Sequence, residues 1–484
     1  MLTRHRRANG VRPGFVLGLS AAAGLATLVA CSGDGRRPDK AGQDVRLEAA
    51  WTEIGEDNRT IARSIGTAGE CPLLSVDGRS TRMSLRVAPG TAALRATASA
   101  AADSKPSAFP VRVCEARIAA GAKSARIGSH ALPLPKADPR RIVIIGDTGC
   151  RMKRSGNVFQ ACNDADQWPF ARIAAAAAAM QPDLVLHVGD YHYRENACPD
   201  DIAGCRGSPW GYGWDAWNAD LFTPAAPLLA AAPWIVVRGN HEECSRAGQG
   251  WFRFLDPSAF DGARSCDDAG NDSGANYSSP YAIALGGGAQ IVIFDSAKTT
   301  GKALAATDPA FVIYRQQFQK VATLAARPGV TTLFANHHPI LGFVPIAGAA
   351  PAPGDQALQS VMRSLESTAY YPPGVTLALH GHVHDFQALD FSTGQPPTIV
   401  AGIAGDNLDV NLPDPFPSGA TPAPGAAVDA ITHASTYGFL VMDRTDSGWT
   451  FTARAVDGSV LTTCAFSASR LGCDKTGFVS PPDG

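Results

Sequence analysis

The chain's hydrophobic pattern changes character twice. Residues 49–135 hold short alternating segments such as Met83-Ser84-Leu85-Arg86-Val87 and Phe109-Pro110-Val111-Arg112-Val113, separated by turn residues. That period of two predicts a small β-rich domain. Leu132-Pro-Leu-Pro-Lys136 then reads as a stiff linker. From Arg140 onward, uninterrupted apolar runs alternate with helical stretches at Ala171–Met180 and Tyr314–Ala326, which predicts an α/β domain over 140–484. After Tyr437 three strand-like runs, GFLVMDR, WTFTARAV and VLTTCAF, are placed to finish a sheet. Residues 345–357 and 405–430, rich in Pro, Gly and Ala, read as long loops, which in compact domains are often functional. Trp210, Trp214 and Trp217 fall at helical spacing, so they form either a buried face or an aromatic wall for a substrate.

The N-terminus changes the picture of the compartment. Arg4, Arg6, Arg7 and Arg12 precede an uncharged run from Phe15 to Ala30, too short for a comfortable membrane span but suited to a secretory leader. The run ends Leu28-Val29-Ala30-Cys31. This resembles the lipobox of bacterial lipoproteins, which implies cleavage before Cys31, lipidation of Cys31 and anchoring at the periplasmic side of a bacterial membrane. An ordinary signal peptide with a chance cysteine is the alternative. Residues 1–30 are therefore expected to be leader, and 31–48 a flexible tether.

Composition adds exclusions. With 45% apolar residues and a formal net charge of −2, the chain is neither wholly disordered nor a polybasic nucleic-acid binder. Its eleven cysteines contain no CxxC pair, which argues against zinc ribbons and thioredoxin-like sites. If Cys31 carries lipid, ten remain. Consecutive pairing is expected: Cys71 with Cys114, Cys150 with Cys162, Cys198 with Cys205, Cys244 with Cys266 and Cys464 with Cys473. The alternative leaves one or two as buried thiols.

Five apolar runs of the α/β region end in residues that can bind metal. Ile142–Gly146 leads into Asp147. Leu184–Gly189 leads into Asp190, with Tyr193 three residues on. Trp234–Gly239 leads into Asn240-His241-Glu242, Thr331–Ala335 into Asn336-His337-His338-Pro339, and Thr376–His380 into Gly381-His382-Val383-His384. In α/β sheets, ligands gather beyond the carboxyl ends of strands, so these endings converge if the strands form a sheet. Eight of the eleven histidines lie between His187 and His384. Carboxylate and phenolate oxygens suit Fe(III); imidazole and amide oxygen suit Zn(II), Mn(II) or Fe(II). The glycines before Asp147, Asp190, Asn240 and His382 are expected to let the backbone turn sharply.

These five blocks resemble those of the calcineurin-like metallophosphoesterases, and within them the purple acid phosphatases. Many relatives have a histidine two residues after the first aspartate. Here Gly149 stands there and Tyr193 is present instead, the exchange that marks the purple subgroup. The resemblance implies a β-sandwich flanked by helices, preceded here by the small β-rich domain. It implies two metal ions, Fe(III) and a divalent Fe, Zn or Mn. Asp147, Tyr193 and His384 would hold the first, Asn240, His337 and His382 the second, and Asp190 would bridge them. His337 rather than His338 is the implied ligand, from its place two residues before the proline. His241 would contact phosphate as the catalytic histidine, with Asn240 and His192 also at the substrate.

The implied reaction is hydrolysis of a phosphate monoester by a hydroxide held between the metals. A phosphodiesterase or nucleotidase with the same centre is the nearest alternative, and a non-catalytic metal- or partner-binding lipoprotein is the alternative of another class. His241 could stabilise charge, protonate the leaving oxygen or merely orient its neighbours. His380 reads as structural. Arg151, Lys153 and Arg154 read as a solvated basic face, with attraction of anionic substrate as the sharper possibility. The implied partners are a phosphorylated small molecule and, through the anchor, a membrane, with no nucleic acid.

Overall fold

The computed structural model describes residues 46–67 and 69–480. The leader, Cys31 and nearly all of the tether lie outside the described residues. Among the described residues, no helix is long and apolar enough to cross a membrane.

Two sheets pack face to face. The larger has eleven strands and is built around three parallel neighbours, Arg141–Ile145, Leu184–His187 and Trp234–Val236. The smaller has eight, with Ala289–Ile293, Thr331–Ala335, Val375–His380 and Thr398–Ala401 running parallel at its centre. Ile142, Ile144, Leu184, Leu186 and Ile235 of the first sheet share one apolar cluster with Ile291, Leu333, Leu377 and Leu379 of the second. Parallel strands buried on both faces read as continuous apolar runs, which is why the sequence showed them so clearly. The expected convergence holds, although the five strand ends come from two sheets rather than one. The three C-terminal runs form Gly438–Arg444, Gly448–Ala455 and Val460–Ser467 and extend the larger sheet beside Arg141–Ile145.

Helices cover the outer faces. Phe170–Ala179 buries Phe170, Ile173, Ala174 and Ala177, a single stripe on a run of strong helix formers. Pro309–Ala325 starts one turn earlier than Tyr314, because Asp308 caps it by accepting from the Ala310 N–H and Pro309 fits the first turn. Trp214 and Trp217 are buried in the core of the larger sheet's outer face, so the aromatic-wall reading does not apply to them.

The expected β-rich segment at 49–135 is present as strands, but it is not separated from the catalytic sheet. Leu47–Gly55 pairs in parallel with Trp234–Val236 through Glu53 and Trp234, and the described residues fall in one compact unit. The three-residue strand at 234–236 would otherwise be an open edge with unpaired backbone groups. Buried arginines fasten the junction. Arg63 donates to Glu53 at 2.9 Å and to the Phe254 and Asp256 carbonyls. Arg86 donates to the Phe252 and Arg253 carbonyls. The Phe252, Arg253 and Phe254 carbonyls are the C-terminal ones of helix Gly248–Phe254, where positive charge is favoured.

Five disulfides join Cys71–Cys114, Cys150–Cys162, Cys198–Cys205, Cys244–Cys266 and Cys464–Cys473, all consecutive pairs.

Candidate metal centre

The ends of the parallel strands bring Asp147, Asp190 and Asn240 from the larger sheet against His337 and His382 from the smaller. Three of these donors sit at their strand ends in the left-handed region, with φ of 58° at Asp147, 58° at Asp190 and 71° at His382. Such backbone costs about 1–3 kcal/mol per residue and persists where surroundings impose it, often at functional sites. The sharp turn is therefore made largely by the donors. Most of the preceding glycines serve clearance instead. A Cβ on Gly381 would stand 2.5 Å from the Asp147 carboxylate, and one on Gly146 2.5 Å from Val188.

Two groups of donor atoms result. In the first, the Tyr193 hydroxyl lies 2.9 Å from Asp147 Oδ1, 2.8 Å from Asp190 Oδ2 and 3.0 Å from His384 Nε2. In the second, His337 Nε2 lies 3.1 Å from both Asp190 Oδ2 and Asn240 Oδ1, and His382 Nδ1 lies 3.0 Å from Asn240 Oδ1. Asp190 belongs to both. His337 Nδ1–H donates to the Val188 carbonyl at 2.9 Å and His384 Nδ1–H to the Asn407 carbonyl at 2.8 Å. Each ring's Nε2 lone pair is thereby turned inward, the usual arrangement for a metal-binding histidine. The structure places His337 here and turns the His338 ring to Ser296 at 3.0 Å.

Acceptors crowded at about 3 Å are held together by positive charge between them, carried by protons or by a metal ion. The ionisation of the side chains says the same. Burial disfavours a charged His337, yet Asp190 and Asp147 outweigh it and push the ring up to about 9. Burial likewise opposes charge on His384, and Asp406 and Asp147 push it up to about 10. Each half of the site thus favours positive charge, whether as a proton on its histidine or as a bound cation. The oxygen-rich set of Asp147, Asp190, Tyr193 and His384 fits a hard ion; the set of Asn240, His337 and His382 fits a borderline divalent one. Burial first, then Asp147 and Asp190, hold the Tyr193 phenol well above its ordinary range, so a phenolate there needs a metal.

The supporting residues were mostly invisible in the sequence. Glu242, fully buried, accepts the backbone N–H of Gly239, Asp190, Tyr191 and His192 at 2.9–3.2 Å. Asp220 accepts those of Cys150 at 3.0 Å and Tyr193 at 2.8 Å and pairs with Arg194. Its carboxylate occupies the space a side chain at 149 would need, since a Cβ on Gly149 would lie 2.9 Å from Asp220 Oδ2. Arg151 is no solvated residue. It is gripped by buried Asp406 at 2.9–3.0 Å and lies over the Tyr193 ring. Arg154 is exposed and pairs with Asp103, as a solvated face would.

His241 lies beside the donors, its Nε2 3.9 Å from Asp190 Oδ2. Its Nδ1–H donates to the His192 carbonyl, and its Nε2 accepts from Arg246 at 2.8 Å. Burial and the Arg246 charge hold the ring well below its ordinary range, hence neutral. The group facing that side with a proton to donate is Arg246, itself anchored by Glu195. His192, expected at the substrate, is corrected: its side chain is 0% exposed, packed between Tyr212 and Trp217, with Nε2 bonded to the Gly211 carbonyl. Only its carbonyl serves the site. His380 is buried against Tyr371, as a structural residue.

Residues 140–386, just over half of the 484, match the family model described as calcineurin-like phosphoesterase. The chain belongs to that family. It is therefore a metal-dependent phosphoesterase, and its donor set corresponds to a dinuclear centre. Among solved structures, a purple acid phosphatase, PPD1, from yellow lupin (Lupinus luteus) seeds is similar with a TM-score of 0.51 and 15% identity, over 87% of this chain and 74% of that one. PhoD is similar with a TM-score of 0.53 and 10% identity, over 91% of this chain and 94% of that one. At these identities the likeness is one of fold. No curated protein sequence matches the chain.

Proposed function

We propose that this metallophosphoesterase hydrolyses phosphate monoesters as an acid-phosphatase-like enzyme. Asp147, Tyr193 and His384 hold Fe(III); Asn240, His337 and His382 hold a divalent Fe, Zn or Mn; Asp190 serves both. The observation that carries this reading is the Tyr193 hydroxyl among Asp147, Asp190 and His384, with no room at Gly149 for a side chain.

When bound, the two ions supply Lewis acidity at the phosphoryl group and acidify water. The chain's own residues orient and steer. His241, kept neutral, holds the Arg246 guanidinium beside Asp190, where it can donate to a phosphoryl or leaving-group oxygen. Half-buried Lys153 stands close enough to Arg246 and Arg151 for burial and their charges to lower its pKa, so fixed positive charge lines this side. A dianionic monoester gains more from it than a monoanionic diester.

The leader and Cys31 belong to the same proposal, with the enzyme exported and lipid-anchored at the periplasmic side. The five disulfides support export. The test is kcat/KM of the metal-loaded protein on p-nitrophenyl phosphate and bis(p-nitrophenyl) phosphate from acid to alkaline pH. A monoester preference of at least about tenfold, or about 1.4 kcal/mol of transition-state binding, is expected. Preference for the diester refutes the substrate assignment, and no hydrolysis of either refutes the enzyme reading.

A further inference from the structure

A cavity of about 380 Å³ is lined by Val236 and Arg238, from the strand and turn that lead to Asn240, and by none of the metal-site donors. Its wall is assembled from five regions, among them Trp251 to Arg264 and, from helix Pro309–Ala325, Lys320. Glu56 and Arg59 come from the N-terminal hairpin, Val236 and Arg238 from the third catalytic strand and the residues after it, and Tyr277–Tyr281 with Ile293–Asp295 from the edge of the smaller sheet. The N-terminal strands therefore complete this space as well as the sheet.

Three lining residues hold buried polar atoms with no hydrogen-bond partner: Arg59 Nε, Ser278 Oγ and Tyr281 Oη. Buried polar groups are nearly always paired, so three orphans around one cavity point to something that pairs them. The charges around them are uneven. Arg59 makes one long bond, 3.4 Å, to the Pro257 carbonyl. Lys320 donates to the neutral Ser279 hydroxyl at 2.7 Å. Arg264 also lines the cavity. The opposing carboxylates are largely engaged. Asp295 accepts from Arg238, Ser278 N–H and Ala297 N–H, and Asp256 from Ser258 N–H. Glu56 is the exposed exception. Trp251, Tyr277 and Phe294 add aromatic surface.

We propose that this cavity binds a small organic oxyanion with a planar body. Its anionic head pairs with Arg59 and the Tyr281 and Ser278 hydroxyls, and its ring packs against Trp251, Tyr277 and Phe294. The volume suits one such molecule. Guanidinium, phenol and hydroxyl donors around an oxyanion recognise carboxylate and phosphoryl heads alike. The proposal does not rest on the monoester reading.

Isothermal titration of the metal-loaded full chain with benzoate and with phenylphosphonate tests it. One benzoate site per chain is expected; phenylphosphonate, which as an ester analogue also suits the metal centre, is expected at two sites, and only the one weakened by Arg59→Gln reports the head group the cavity prefers. Benzoate binding should weaken about tenfold in Arg59→Gln, the loss of one charge-assisted hydrogen bond. It should also weaken in Tyr281→Phe and stay unchanged in Asn240→Ala. Tyr281→Phe deletes a hydroxyl with no partner in the protein, so the variant keeps its fold and reports on binding alone. Absence of binding by both probes, or binding indifferent to Arg59→Gln and Tyr281→Phe, overturns the proposal. So does benzoate binding that is lost in Asn240→Ala.

Discussion

Replacing Asp220 by asparagine is expected to loosen the Asp147 and Tyr193 loops together. Oδ1 accepts from Cys150 N–H at 3.0 Å and Arg194 Nε–H at 2.6 Å; Oδ2 accepts from Tyr193 N–H at 2.8 Å and Arg194 N–H at 3.2 Å. An amide presents N–H to one of these pairs in either orientation, so two buried donors lose their acceptor, at about 1–3 kcal/mol each. The Arg194 side chain, 4% exposed, also loses its counter-charge. Breaking a buried pair costs about 3–5 kcal/mol by itself, and the losses overlap, so about 4 kcal/mol is the expected total. A chain of 484 residues unfolds with an entropy of about 1 kcal/mol/K, which converts this to a fall in Tm of roughly 4 °C. Outer partners of metal ligands typically change affinity by about 10–100-fold, so a competing chelator should strip the variant correspondingly sooner. Calorimetry and chelator competition are the assays, with the half-exposed Asp215→Asn as control. Wild-type Tm and metal affinity in Asp220→Asn would show that this carboxylate does not hold the two loops.

Tyr193→Phe removes the phenolate candidate and should abolish the visible absorption of a ferric protein; a variant as coloured as the parent would show that iron sits elsewhere. Arg246→Ala should lower kcat/KM for the monoester by about 10–100-fold, the worth of a hydrogen bond to a charged group, with a smaller loss on the diester and partial rescue by Arg246→Lys. Arg63→Ala strands buried Glu53 and the Phe254 and Asp256 carbonyls, so urea unfolding should show about 3–5 kcal/mol of destabilisation. Stability within about 0.5 kcal/mol of the parent would mean the arginine does not fasten the junction.

The candidate donors stood out because they follow doubly buried strands, four of them, Asp147, Asp190, Asn240 and His382, directly behind a glycine. Whether those runs lie in one sheet or two was not legible, since a strand buried on both faces has the same pattern in either. Residues 49–135 looked separate because their alternating, half-exposed strands contrast with the continuous apolar runs beyond Arg140, and nothing local tells Leu47–Gly55 that its partner is Trp234–Val236. Asp406 and Arg246 come from irregular segments and Asp220 from the short helical stretch Asn218–Phe222, and all three acquire their roles only through tertiary contact. Glu242 stood inside a recognised block, yet its work is on backbone N–H groups, which no side-chain pattern announces. His192 was misjudged by its neighbours: between Asp190 and Tyr193 it faces the opposite way, into the aromatic core.

Two groups of donors share Asp190, and each is arranged so that it could hold a cation. Elemental analysis of the purified protein decides whether both cations are there, read together with phosphomonoester hydrolysis before and after chelation. Two metal ions per chain are expected, with loss of activity on their removal and recovery when both return. A single ion per chain at full activity, or undiminished hydrolysis by metal-free protein, would contradict a dinuclear centre.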